Sequence, residues 1–243
     1  LDNFEEPMLD ETDRAWWAFR PPLRPTVPGV GAADRVATAV DAFVLARLED
    51  AGLDLAPEAT RTALVRRAHL DVLGLPPSPE QVARFLADRR PGGWGRLVDR
   101  LLADPRYGER WGRHWLDVAG YVDIIGSDND AGIIKMAPGI WRYRDYVVGA
   151  FNDDKPFDEF LVEQVAGDEL VDWRRAESFS TRQLEQIIAT GFLRQARDST
   201  SSPELNTADI RHQVLYETLQ TVSTALLGLT VHCAQCHSHK FDP

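Results

Sequence analysis

Residues 35–52 read RVATAVDAFVLARLEDAG, and the apolar members Val36, Val40, Phe43, Val44 and Leu48 recur at three- and four-residue steps. Such steps stack side chains along one face of an α-helix, whereas a half-buried strand alternates at every second residue. Gly52 ends the helix. The same period continues along the chain. A second helix covers about 58–73 and is cut by Gly74-Leu75-Pro76-Pro77. Ser78, with Gln81 three residues on, has the spacing of a reciprocal cap for a helix reaching about Asp88. After the loop Arg89-Arg90-Pro91-Gly92-Gly93 come helices over 94–103 and 105–122, the latter opening on Pro105, whose missing N–H costs nothing in a first turn. A Gly/Asp/Asn loop over 123–132 precedes helices at 139–151, 158–166, 181–190 and 207–227, the last carrying Ile210, Val214, Leu219 and Val222 on one side. No stretch alternates convincingly, so the expected class is all-α, an irregular multi-helix domain over residues 35–243. Residues 1–34, with Pro7, Pro21, Pro22, Pro25 and Pro28, form an extended arm. Its Trp16-Trp17-Ala18-Phe19 cluster is expected to be buried against the helical body or a partner, because three large aromatics in water make an unusual apolar patch.

The 243 residues carry 38 acids against 27 bases, a net charge of −11. Nucleic acids and anionic membranes need a positive field, so the charge argues against both as partners, and a basic protein suits this surface better. The longest apolar stretch, Thr224 to Val231, falls far short of the roughly 20 residues that span a bilayer. There is no Gly-rich phosphate loop and no serine-elbow triad. The chain opens at Leu1 without a basic-then-apolar leader, which reads as a processed or excised segment.

Both cysteines sit in Cys233-Ala234-Gln235-Cys236-His237-Ser238-His239-Lys240-Phe241-Asp242-Pro243. Cys-x-x-Cys-His is the attachment pattern of one covalent haem c: the two thiols become thioethers and the adjacent histidine, here His237, is the proximal iron ligand. Covalent attachment takes place outside the cytoplasm, so this reading implies an exported, periplasmic protein. Two other readings of the same atoms stand beside it. Cys233 and Cys236 could be a redox dithiol, although the βαβ setting of thioredoxin-type pairs is missing. Cys233, Cys236, His237 and His239 could also form a closed metal site, with consecutive ligands at 236 and 237 making a tetrahedron awkward.

Only six residues follow His237, so a second axial ligand comes from upstream, from sequence beyond Pro243 or from a partner. His114, between Trp111 and Trp115, is the candidate distal ligand or a group supporting the site, with a core histidine donating to Asp117 as the plain alternative. His239 reads as a propionate partner or a support for His237. His232 directly precedes the motif. Met136 reads as core filler rather than ligand, and His69 and His212 as surface or packing residues. Asp117, Asp123, Asp128 and Asp130 offer oxygen ligands for calcium, but they lack the EF-hand spacing and read better as a solvated loop. Trp111, Trp115, Tyr121, Trp141, Tyr143 and Tyr146 lie at spacings that serve a haem wall or a plain core equally well.

The words along the chain also resemble a known family. Trp17-Ala18-Phe19-Arg20-Pro21-Pro22, Asp41 to Leu48, Leu70-Asp71-Val72-Leu73-Gly74-Leu75-Pro76-Pro77, Tyr107-Gly108-Glu109-Arg110-Trp111, His114-Trp115-Leu116-Asp117, Trp141 to Tyr146, Gln164-Val165-Ala166-Gly167-Asp168, Ala189-Thr190-Gly191-Phe192 and Cys233 to Pro243 closely resemble, in the same order, the planctomycete-type cytochrome c domain of unknown function. The resemblance implies an exported protein that often continues into a further domain beyond the Cys motif. It implies no known reaction. Two departures stand out: Ala119-Gly120-Tyr121-Val122-Asp123 replaces the family's Ala-Arg-Tyr-Ala-Asp, and Tyr216-Glu217 stands where Asp-Arg is usual. The functional expectation is a c-type haem-binding domain in electron transfer. The rivals are an accessory subunit of a larger periplasmic electron-transfer assembly and a metalloenzyme with a Cys/His site.

Overall fold

The computed structural model describes residues 10–17, 20–125, 135–196, 198, 200 and 203–236. Contacts divide the chain into two units, Leu1–Ala59 and Thr60–Pro243.

In the first unit, α1 (Glu11–Arg14) is closed by a reciprocal cap between Asp10 and Asp13. Helix α2 (Ala39–Asp50) is shorter than residues 35–52 because a second reciprocal cap fixes its start: the Asp41 carboxylate accepts from the Thr38 N–H at 2.7 Å and Thr38 Oγ1 accepts from the Asp41 N–H. The Glu49 carboxylate then ties the preceding segment to the helix, accepting from the N–H groups of Gly31 and Ala32 at 2.9 and 3.1 Å. The buried residues of α2 are Ala42 and Leu45, while Val40, Phe43 and Val44 are exposed. The helix is where its period placed it, with a different side turned inward. Trp16 and Trp17 are 58% and 76% exposed, so the burial expected of them is not found within this unit, and Phe19 lies outside the described residues.

The second unit is built from α3 (Arg61–Leu73), α4 (Pro79–Ala87), α5 (Gly93–Leu102), α6 (Arg106–Ala119), α7 (Trp141–Asn152), α8 (Phe157–Ala166), α9 (Thr181–Ala189) and α10 (Ala208–Val222). Among the described residues its sheet content is one two-residue ladder, Ile124–Ile125 against Lys135–Met136, which is too short for alternation to announce in sequence. The class is all-α, as the periodicity indicates. Ser78 and Gln81 do form the reciprocal cap of α4, at 2.7 and 3.2 Å.

Two apolar clusters organise these helices. Val65, Ala68 and Leu73 of α3, Phe85 of α4, and Leu97 and Leu101 of α5 form one. The other joins Trp115 and Ala119 of α6, Tyr143, Tyr146, Val147 and Ala150 of α7, Phe160 of α8, Ala189 of α9 and Phe192. Helices α6 and α7 approach closely because Gly108 and Gly112, one turn apart, present no side chain. A Cβ on Gly108 would stand 2.2 Å from the Val148 carbonyl oxygen, and one on Gly112 would stand 3.3 Å from Val147 Cγ1. Asn152, at the end of α7, fastens the same contact: its Oδ1 accepts from the Gly108 N–H at 2.8 Å and its Nδ2 donates to the Pro105 carbonyl at 3.1 Å.

The second cluster also encloses polar groups. Trp115 Nε1 donates to the Tyr143 hydroxyl at 2.9 Å, which donates to Gln164 Oε1 at 2.7 Å. The Tyr146 hydroxyl and the Lys155 ammonium both donate to Glu163 Oε2, at 2.7 and 2.5 Å, and the ammonium also lies 4.8 Å from the Tyr146 ring centre. Burial pushes both tyrosine hydroxyls well above the ordinary phenol range, and the Glu163 carboxylate adds to the effect on Tyr146. They act as neutral donors to the Gln164 and Glu163 acceptors, whose burial would otherwise be costly, while the buried Gln164 Nε2 has no hydrogen-bond partner among the described residues.

Gly108→Ala should lower unfolding stability by about 2 kcal/mol or more, since the rigid backbone of α7 blocks the new methyl. Gly149→Ala, on the same pair of helices but with open space at its Cβ, should be neutral or stabilising by up to about 1 kcal/mol. Urea unfolding followed by circular dichroism measures both, and equal effects would contradict the packing described. Lys155→Met should cost about 3 kcal/mol by leaving the Glu163 carboxylate buried without its cation, and adding Glu163→Gln should restore part of that loss.

Candidate functional site

The Cys turn is reached through α10. Val222, Ala225 and Leu226 lie against the second core cluster, and the chain leaves the helix through a π-helical turn, Ser223–Leu227, closed by Gly228 at φ 65°. Buried Ser223 accepts the Leu229 N–H at its carbonyl, 3.1 Å away, which folds residues 229–236 back alongside α10. Cys233–Gln235 then form a single 3₁₀ turn, with the Cys236 N–H donating to the Cys233 carbonyl at 3.2 Å and the Ala234 N–H to the Val231 carbonyl at 3.2 Å. That turn sets the two cysteines at its two ends. Both thiols are free and exposed.

What holds the turn is His232. Its carbonyl accepts from the Tyr216 hydroxyl at 2.5 Å, and its Nδ1 lies 2.6 Å from Gln220 Nε2, which also donates to the Tyr216 oxygen. The Tyr216 and His232 rings are 6.0 Å apart. Tyr216 and Gln220, one turn apart on α10, therefore grip the residue just before Cys233. With the Gln220 amide donating, Nδ1 accepts and the ring hydrogen sits on Nε2; a flipped amide would move it to Nδ1 and free Nε2 as a ligand. Tyr216 thus does structural work for the Cys turn.

His237 and His239 lie outside the described residues, as do Asp128 and Asp130. Among the described residues no group of three or more His, Cys, Asp or Glu side chains is placed to hold a metal ion. His114 is on α6, exposed, with its ring 5.5 Å from that of Trp111, and it makes no hydrogen bond or ion pair among the described residues. It is not a core histidine bound to Asp117, because Asp117 is an exposed partner of Arg113 at 3.8 Å. Met136 is 64% exposed at the edge of the short ladder and fills no core, contrary to its reading from sequence. His69 is buried and bonds the Val65 carbonyl through Nδ1, as a packing residue does.

Asp123 is committed to the protein: it accepts from the Tyr121 hydroxyl and faces Arg144 at 3.7 Å. Gly120 ends α6 at φ 72°, a conformation that suits glycine and would strain a residue with a side chain. Of the aromatic series, Trp115, Tyr143 and Tyr146 are core, whereas Trp111 and Trp141 are 38% and 46% exposed. The buried Trp115–Tyr143–Gln164 and Lys155–Glu163–Tyr146 networks were not picked out from sequence, because no spacing rule links residues on α6, α7 and α8.

Against known proteins, the family model PSCyt2, described as a protein of unknown function (DUF1549), matches residues 39–243. Comparisons with curated proteins and with solved structures return no match.

Replacing Tyr216 by Phe removes two hydrogen bonds from the anchor of the turn, the one donated to the His232 carbonyl and the one accepted from Gln220, each worth about 1 kcal/mol. Hydrogen exchange at the Leu229, Ala234 and Cys236 amides should speed up about fivefold or more while the helix amides of α6 and α7 stay unchanged. Unaltered exchange at those three amides would show that the anchor lies elsewhere.

Proposed function

The chain belongs to the PSCyt2 family, whose function is unknown, and on that premise we propose that it is an extracytoplasmic c-type haem-binding domain working in electron transfer. The observation that carries this reading is the Cys turn: two free, exposed thiols one 3₁₀ turn apart, followed at once by His237, the donor set that covalent haem attachment needs. The surroundings also fit the group. Leu215 and Leu219 on α10, and Leu227 and Leu229 on the segment leading to the turn, are exposed apolar side chains of the kind a flat macrocycle contacts.

A bound haem supplies the one-electron chemistry. The chain's own residues have three tasks in this reading. Cys233 and Cys236 fix the position, His237 supplies the proximal nitrogen, and Tyr216 with Gln220 holds the peptide before Cys233 so that the turn does not swing. His114 is proposed as distal ligand or as a group beside the site, and His239 as a support for His237. Export to the periplasm follows from the attachment chemistry. No catalytic residue is assigned, and calcium is not needed.

A second reading, an accessory subunit of a larger electron-transfer assembly, is favoured by the exposure of Trp16 and Trp17, which a partner would cover.

The double variant Cys233→Ala/Cys236→Ala, expressed with cytochrome c maturation, should lose covalent haem staining after denaturing electrophoresis while keeping most of its helical circular dichroism. Staining that persists in the double variant would sink the proposal. In a haem-loaded protein, His114→Ala should alter the axial-ligand spectrum, and an unchanged spectrum would remove His114 as ligand.

A further inference from the structure

Although the chain carries a net charge of −11, arginines gather at one place. Arg84 and Ala87 of α4, Asp88, Arg89 and Arg90 of the following loop, and Arg100 of α5 line an open cleft of about 660 Å³. The one carboxylate there is already taken. Asp88 accepts from Arg90 Nε and Nη2 at 2.9 and 3.1 Å and from Arg96 Nη2 at 2.8 Å. These two guanidiniums, Arg90 foremost, hold its carboxyl well below the usual range, so it stays ionised and bound to them. Arg84, Arg89 and Arg100 are exposed and make no ion pair or side-chain hydrogen bond among the described residues. Arg84 and Arg100 stand in the last turns of α4 and α5, where the helix dipole favours a cation, but that does not require them to share one hollow with Arg89, where the three guanidiniums repel one another.

The walls of the cleft are firm. Phe85, Leu97 and Leu101 seat α4 and α5 on the same cluster as α3. Arg61 Nη2 donates to the carbonyls of Phe85 and Asp88 at 2.5 and 2.8 Å, with its guanidinium 4.2 Å from the Phe85 ring centre, so the last turn of α4 and the start of the loop are pinned. The arginines are thus presented from a fixed frame.

We infer that this cleft binds a compact oxyanion, the phosphate or sulfate ester group of a small molecule, through Arg84, Arg89 and Arg100. Guanidinium forks match the paired oxygens of such groups and bind them with short, charge-assisted hydrogen bonds. The volume exceeds what an inorganic ion needs and falls in the range of small-molecule sites, about 300–1,000 Å³. A long polyanion is a poor fit. At physiological ionic strength a charge is felt over only about 8 Å, so a polymer leaving the cleft would run over the surface of a chain with 38 acidic residues. The site is independent of the Cys turn and of the haem reading.

Calorimetric titration of the full chain at low salt, with inorganic phosphate, inorganic sulfate, glucose 6-phosphate, glucose 6-sulfate, glucose and a single-stranded oligonucleotide, tests this. One or both esters should bind, more weakly as sodium chloride is added, and glucose should not. The preferred ester tells phosphate from sulfate as the natural group; equal affinity supports the shared chemistry. Arg84→Gln/Arg89→Gln/Arg100→Gln should weaken ester binding about tenfold or more while keeping the parent's helical circular dichroism, the two lost helix-end charges costing at most about 1 kcal/mol each. The milder Arg84→Lys/Arg100→Lys, which keeps the charge and loses the forks, should weaken it severalfold. The inference is overturned if neither ester binds, if the Gln variant binds as the parent does, or if the oligonucleotide binds more tightly than the esters.

Discussion

The close approach of α6 and α7 at Gly108 and Gly112 is the constraint on which the second unit depends. Because the two helices touch backbone to backbone, Trp115 and Ala119 on one and Tyr143, Tyr146 and Val147 on the other fall into a single cluster, which Phe160 of α8 and Phe192 then close. A methyl at Gly108 would meet a carbonyl oxygen of a packed helix, which cannot yield as a flexible side chain can. Everything downstream inherits this alignment. The C-terminal part of α10 rests on that cluster through Val222, Ala225 and Leu226, and the Cys turn hangs from α10 through Tyr216, Gln220 and His232.

The polar groups inside the cluster make it specific rather than merely apolar. Tyr143 and Tyr146, neutral because burial disfavours their charged forms, each satisfy one buried acceptor on α8. Shifting α7 against α8 by one residue would break both bonds, leaving the buried Gln164 Oε1 without its donor and Glu163 with Lys155 alone. The register between these helices is fixed by chemistry as well as by shape.

Much of this was legible in the sequence, for identifiable reasons. Helix positions follow from apolar period and from cap residues, and the Ser78 and Gln81 pair of α4 is read directly. Which side of α2 faces inward was not legible, because Val40, Ala42, Phe43, Val44 and Leu45 surround much of the helix and period alone cannot choose between them. The strand pair 124–125 and 135–136 is too short to show alternation, and Met136 at its edge is exposed. The Cys motif is a local pattern and therefore stands out. Its anchor is not local: Gln220 and Tyr216 meet His232 across 12 and 16 residues, a contact that only folding creates.

The helical scaffold presents an exposed pair of thiols just beyond the end of one helix, and in the proposed function those thiols carry haem. Intact mass under denaturing conditions, on protein made in cells competent for cytochrome c maturation, tests it most directly. A permanent mass increase of one haem, lost when Cys233 and Cys236 are both replaced by alanine, is the predicted result; a polypeptide mass with no covalent addition would contradict it.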